Sequence, residues 1–324
     1  MPTGLPFHDV ARLVRLRALL KDADPARSPR AIRIAGPADQ KPARLALLPG
    51  SFNPLTNAHL ALASLATGSG RVDQAWYVLA SRTVDKERVE GASLADRLVC
   101  LSEAVRRRSR QGVLLVNRGL YVDQAELVRE AMPFVDDLWL VVGYDKIVQI
   151  FDRRYYRDRE AALGRLFARA SFLVSSRAPA SPGDLEAFLD QPENRDYRAK
   201  VVELGLAPRY QRMSSTRVRR GALEGQPSTD VPPVVQRFIE ETGAYATPIE
   251  EASGRRRDRY GVRERLVDLA EGGQLPRMSE VEFQRAVERL VGSDGERRRA
   301  ALDRGDLTRA LTPVHAGAET EQLS

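Results

Sequence analysis

The chain is nearly without cysteine. Cys100 is the only one among 324 residues, which excludes an intrachain disulfide and fits a reducing, cytoplasmic setting. It lies beside Leu98 and Leu101 in a helical pattern and reads as a small core residue rather than a nucleophile. Histidine is almost as scarce, with three residues, and no Cys/His cluster has the spacing of a protein-held metal site. No apolar run reaches the length of about 20 residues that spans a bilayer, and residues 1–9 lack a basic region followed by an apolar core. Neither a membrane span nor a secretory signal is therefore expected. No segment repeats another.

What is present is the composition of a soluble globular protein, 43% hydrophobic and 29% charged. Lys and Arg number 51 against 44 acidic residues, a formal charge of +7. Such a balance suits a nucleic-acid binder, an enzyme of polyanionic nucleotides, or a merely basic surface. The triplets Arg255-Arg256-Arg257 and Arg297-Arg298-Arg299 have no interleaved aromatic residues to stack bases, so they read as solvated charge and no nucleic-acid partner is expected.

Residues 1–43 divide into a short amphipathic helix over 9–21 and a linker holding Pro25, Pro29, Pro37 and Pro42. Over 44–248 short apolar runs at 45–48, 75–79, 113–116, 138–142 and 172–174 alternate with helical patterns at 57–66, 94–107, 124–131 and 158–168. Strand alternating with helix predicts an α/β fold: a Rossmann-like, doubly wound parallel sheet covered on both faces. Ligands of such sheets bind beyond the carboxyl ends of the strands. A Pro-started helix over 231–245 closes the pattern. Residues 249–324 read as a C-terminal helical extension with helices at 262–270 and 280–291, packed on the main domain and ending in a disordered tail.

Two motifs stand where ligands are expected. After the first of these runs the chain reads Gly50-Ser51-Phe52-Asn53-Pro54-Leu55-Thr56-Asn57-Ala58-His59. Gly50 admits a ligand close to the backbone. Thr56 and His59, three apart, share the first turn of the next helix, whose free N–H groups and positive dipole end favour phosphate. Farther on, Ser214-Ser215-Thr216 precede a helix with Arg219 one turn inside it, a set of hydroxyls and one guanidinium fork suited to phosphate oxygens. Taken singly, each also describes an ordinary capped helix.

Together and in this order they resemble the signatures of the nicotinamide and nicotinate mononucleotide adenylyltransferases, within a superfamily that carries His-x-x-His or Thr-x-x-His in the first motif and Ser-Ser-Thr-x-x-Arg in the second. The resemblance spans about residues 44–245. It implies that Gly50, Ser51, Phe52 and Asn53 line the ATP site, that Thr56 and His59 meet its phosphates with His59 stabilising the transition state, and that Ser214, Ser215, Thr216 and Arg219 hold the triphosphate and departing pyrophosphate. Gly143-Tyr144-Asp145 resembles the family's Gly-x-Asp element, which places Gly143 and Asp145 at the nucleotide. Lys86, Tyr121 and Tyr156 are the candidates for the mononucleotide side. One departure stands out: Asn117-Arg118-Gly119-Leu120-Tyr121 replaces the Trp and Thr that relatives carry beside the pyridine ring.

The implied partners are ATP, with Mg2+ carried on its phosphates, and a pyridine mononucleotide. The first motif looks more like relatives acting on nicotinamide mononucleotide, so NAD is the expected product. Nicotinate mononucleotide, phosphopantetheine or the use of CTP are alternatives within the superfamily. A nucleotide-binding regulator without catalysis is the alternative from another class, and two intact phosphate motifs argue against it. A homo-oligomer is allowed, and nothing in the sequence selects for or against one.

Overall fold

Each of the five apolar runs forms a strand that extends it by two residues. The computed structural model of the chain describes residues 6–37, 40–81, 91–175, 183–250, 256–292 and 294–311. Its main sheet holds β1 (Ala31–Ala35), β2 (Arg44–Pro49), β3 (Gln74–Ala80), β4 (Gln111–Val116), β5 (Asp137–Gly143), β6 (Ser171–Ser175) and β7 (Val201–Leu204) in the order β1-β4-β3-β2-β5-β6-β7. All neighbours are parallel except β1, which runs antiparallel to β4. From β2 the chain winds one way through β3 and β4, then returns to β5 and winds the other way. The fold is therefore the doubly wound one, with its switch point between β2 and β5.

The helices are α1 (Val10–Asp22), α2 (Asn57–Gly68), α3 (Leu94–Val105), α4 (Tyr121–Ala131), α5 (Tyr144–Phe151), α6 (Arg159–Arg169), α7 (Asp184–Leu189), α8 (Pro208–Gln211), α9 (Ser215–Leu223), α10 (Pro233–Thr242), α11 (Arg259–Glu271), α12 (Glu280–Val291), α13 (Gly295–Asp303) and α14 (Leu307–Leu311). A two-residue ribbon pairs β8 (Ile249–Glu250) with β9 (Arg256–Arg257). Among the described residues no helix is long and apolar enough to cross a membrane.

The strands read as unbroken apolar runs because both faces are buried. Along β2, Leu45 and Leu47 enter the core shared with α4 to α7, while Ala46 and Leu48 enter the core shared with α1 to α3 and α10 to α12. Trp76 and Val78 of β3 likewise part from Tyr77 and Leu79. Each large side chain buried in this way contributes about 1.5–3 kcal/mol.

The stretch expected to be linker contributes the edge strand β1. Its alternation, Ala-Ile-Arg-Ile-Ala, covers only five residues, and the prolines that suggested irregular chain stand outside it. Its position is fixed from β4: buried Asn117 accepts from the Arg30 N–H at 2.8 Å and donates to the Asp24 and Ser28 carbonyls at 3.0 and 2.8 Å. Arg118 adds bonds to the Pro25 and Arg27 carbonyls, each 3.0 Å. The edge strand β7, four residues long, is likewise too short to show in the sequence pattern.

Beyond α10 the chain packs on the first core. Arg263 of α11 forms a two-pronged ion pair with Asp96 of α3 at 2.8 and 3.0 Å, with both side chains wholly buried. Burial by itself would lower the Arg263 pKa, but the Asp96 carboxylate outweighs it and the group is held above its ordinary value. Tyr260 donates to the same carboxylate at 2.6 Å. The tail expected to be disordered lies outside the described residues.

Candidate active site

A crevice opens at the switch point. The β2–β5 pairing runs from Arg44/Asp137 to Leu47/Leu140 and ends there, whereas β2 stays paired to β3 as far as Pro49/Val78 and β5 to β6 as far as Gly143/Ser175. The carboxyl ends of β2 and β5 thus part, and the segments that leave them carry Gly50-Ser51-Phe52 on one side and Gly143-Tyr144-Asp145 on the other.

The first of these segments is tightly determined. Gly50 donates its N–H to the Val78 carbonyl at 3.1 Å. A Cβ on Gly50 would stand 2.9 Å from the Phe52 ring, so glycine is required by close approach. Phe52 has φ 44° in the left-handed region, a conformation that costs an aromatic residue about 1–3 kcal/mol. Its buried ring stands edge-on to Tyr77 and to His59, with centroids 5.5 and 5.3 Å apart. Asn53 is buried, its side-chain oxygen accepting from the Tyr245 hydroxyl at 2.8 Å.

Thr56 is fully buried at the N-cap of α2. Its backbone N–H donates to Nδ1 of His59 at 3.0 Å, and its hydroxyl lies 2.8 Å from the same nitrogen. A nitrogen that accepts from a backbone N–H carries no proton. The neutral imidazole is therefore assigned, from this hydrogen bonding, its proton on Nε2, the nitrogen left able to donate. The Thr-x-x-His pair is a device for holding one tautomer and one ring orientation.

The second motif closes on the first. Ser214 caps α9, accepting from the Arg217 N–H at 3.2 Å. Ser215 donates its hydroxyl to the Pro54 carbonyl at 2.7 Å, and Arg219 donates to the Asn53 carbonyl at 2.5 Å and to the Thr216 hydroxyl at 3.4 Å. The start of α2 is tied to the chain just after α9, through Asn57 bonds to the Asp230 and Thr229 carbonyls at 2.7 and 3.0 Å. Two helix N-termini, with their positive dipole ends, are thereby brought to one end of the sheet beside a histidine and an arginine.

Across the crevice Gly143 caps α5, and a Cβ there would stand 2.6 Å from the Asp145 carboxylate. The glycine lets this exposed carboxylate fold back over the strand end. The acceptor side is less well formed by the expected residues. Tyr121 opens α4 at the carboxyl end of β4, half-buried against the second core. The Tyr156 hydroxyl donates to the Ile150 carbonyl at 2.6 Å, so the ring is the part of this residue left to meet a ligand. Lys86 lies outside the described residues. Asn117 and Arg118, which stand where relatives are expected to meet the pyridine ring, hold the N-terminal arm instead.

Two residues not singled out from the sequence reach the 50–56 loop: Tyr245, through Asn53, and Arg97 of α3, whose guanidinium lies 3.5 Å from the Ser51 carbonyl. Arg97 left one sign. With Leu94, Leu101 and Ala104 it falls on one face of an amphipathic helix, an arginine where the spacing calls for an apolar residue.

A family model described as cytidylyltransferase-like matches residues 47–221. A probable nicotinate-nucleotide adenylyltransferase of Gloeobacter violaceus is 27% identical over 212 residues, covering 63% of this chain and 97% of that protein. A protein of the same description from Brucella suis is 30% identical over 193 residues, covering 56% of this chain and 97% of its own length. Among solved structures, the Plasmodium falciparum nicotinic acid mononucleotide adenylyltransferase complexed with NaAD superposes with a TM-score of 0.48 at 16% identity, covering 62% of this chain and 97% of that one.

Proposed function

The chain belongs to the cytidylyltransferase-like family, and within it we propose that this protein transfers the adenylyl group of ATP to nicotinate mononucleotide, releasing pyrophosphate and forming deamido-NAD. The observation that carries the reading is the joining of the two phosphate motifs through Ser215 and Pro54 at the switch point of the sheet.

In this mechanism a phosphate oxygen of the mononucleotide attacks the α-phosphorus of ATP. A new P–O–P bond forms, the bond from the α-phosphorus to the bridging oxygen breaks, and its electron pair leaves with pyrophosphate. The attacking monoester is anionic near neutrality, so no general base and no covalent enzyme intermediate is needed. What remains for the protein is alignment and neutralisation of charge. His59 donates from Nε2 to the α-phosphate as charge builds there. The N-termini of α2 and α9, Thr216 and Arg219 hold the triphosphate, and Asp145 accepts from a ribose. Mg2+ arrives on the ATP phosphates, coordinated largely by phosphate and water.

The choice of acceptor turns away from the nicotinamide mononucleotide expected from the first motif, because the relatives that match over nearly their whole length are named for the nicotinate nucleotide. The test is pyrophosphate release from ATP and magnesium with nicotinate mononucleotide, nicotinamide mononucleotide and phosphopantetheine offered separately. Fastest release with the nicotinate nucleotide supports the proposal. Preference for either other acceptor redirects it, and ATP binding without release under any acceptor favours a regulator.

A further inference from the structure

Arg97 is 4% exposed, and among the described residues it pairs with no carboxylate. Its neighbour Asp96 is already engaged by Arg263, Tyr260 and Ser93. The bonds of Arg97 go to main-chain carbonyls, Nε to Ala92 at 2.8 Å and Nη1 to Ser51 at 3.5 Å. A buried cation without a counter-ion is costly. Burial, with a further contribution from the Arg219 cation, holds its pKa below the ordinary arginine value. Packing alone does not require it, since a methionine would fill the same face of α3 more cheaply.

What Arg97 faces is the strained turn. Ser51 and Asn53 flank Phe52, the residue with φ 44°. Arg97 draws on the Ser51 carbonyl, Arg219 on the Asn53 carbonyl, and Tyr245 holds the Asn53 side chain. With the carbonyls on both sides held, Phe52 stays left-handed and its ring edge stays against His59, 5.3 Å between centroids.

We infer that Arg97 is a positioning residue, which acts through the Ser51 carbonyl and the Phe52 ring to fix the His59 imidazole. The start of its helix is in turn fixed by Tyr260 and Arg263, which lie beyond residues 47–221. The C-terminal extension thereby reaches the reacting centre through α3.

The test uses Arg97→Gln and Arg97→Lys in the full chain. Its kinetic arm rests on the adenylyl-transfer reading. Arg97→Gln should lower kcat about 10- to 100-fold with the KM for ATP changed less than about threefold, and Arg97→Lys should recover part of the loss. The second arm needs no turnover. Nitrogen-labelled histidine spectra, with the His59 signal identified by its loss in His59→Ala, should show the Nδ1-acceptor tautomer in the parent and in Arg97→Lys, and a tautomer mixture in Arg97→Gln. An unchanged His59 signal in Arg97→Gln overturns the inference, as does a kinetic loss lying wholly in KM. Should Arg97→Gln not fold, parental kcat in Arg97→Lys overturns it. Failure of the parent to release pyrophosphate with any acceptor would remove the functional reading and leave the imidazole comparison decisive.

Discussion

The hydroxyl of Ser215 donates to the main-chain carbonyl of Pro54 across 2.7 Å, joining the two motif segments, 161 residues apart in the chain. Ser215→Ala leaves that carbonyl without its partner in a half-buried position. The expected cost is about 1 kcal/mol of stability, from the net value of one hydrogen bond, together with a several-fold rise in the KM for ATP as the N-terminus of α9 loosens. Urea unfolding and ATP titration of the variant measure both. Parental values in both would mean that the motifs are held together by other contacts.

Gly50→Ala tests how closely the loop is fitted. The new methyl carbon would sit 2.9 Å from the Phe52 ring, and that ring is wedged between Tyr77 and His59. Overpacking of this kind costs about 1–3 kcal/mol, and here the displaced ring carries His59 with it. The variant should fold with a lowered Tm and lose most of its turnover. Full activity at reduced Tm would uncouple the Phe52 ring from the reaction.

The wholly buried pair Arg263–Asp96 predicts an asymmetry. Asp96→Ala leaves the buried guanidinium with Glu264, 2.7 Å away, as its remaining carboxylate and should cost about 3–5 kcal/mol, while replacing both members with Asp96→Leu and Arg263→Met should recover most of that. Chemical denaturation of the two single variants and the double variant forms the cycle. A single variant costing under about 1 kcal/mol would show that water reaches the pair.

His8 predicts an acid limb in stability. It is buried, among the described residues neither ring nitrogen has a hydrogen-bond partner, and burial, then Arg263 and Arg259, push its pKa from 6.5 down to about 4, against the raising effect of Asp96. Glu241, 3.8 Å away, is shifted upward by its own burial, and because His8 is neutral above its lowered pKa the approach is not a pair of full charges. Because the folded state resists protonation, the unfolded chain takes up the proton first, between 6.5 and about 4. Stability from this group is complete above that window and falls with pH through it, by up to about 1.4 kcal/mol per pH unit. His8→Phe, which sets a second ring near Phe283, should flatten that limb. Urea midpoints at about pH 7 and about pH 5 for parent and variant decide it. An equal acid loss in both would assign the limb to other groups.

The legible part of the fold was the part written in contiguous apolar runs. Leu45 to Leu48 announces β2 because a strand buried on both faces needs no polar interval, and Gly50 to His59 announces the loop and helix that follow. β1 was hidden because five alternating residues bracketed by prolines resemble linker, and its placement depends on Asn117, far along the chain. Tyr245 and Arg263 are illegible as site-supporting residues for a related reason, and Arg97 shows only as an arginine on an apolar helix face: their tertiary contacts, to Asn53, Asp96 and Ser51, are encoded by no local pattern. On the acceptor side the Tyr156 hydroxyl is engaged by the Ile150 carbonyl, a contact between neighbouring turns that leaves the ring for a stacking role.

The central question is whether the α-phosphate of ATP is transferred at His59. The direct measurement follows ATP labelled at the α-phosphate, with magnesium and nicotinate mononucleotide, in the parent and in His59→Ala. Transfer at His59 puts the label in a dinucleotide with one pyrophosphate released per dinucleotide formed, and gives His59→Ala a kcat about 100- to 1000-fold lower with ATP affinity nearly kept. Label that remains in ATP, or a His59→Ala variant that turns over like the parent, would contradict it.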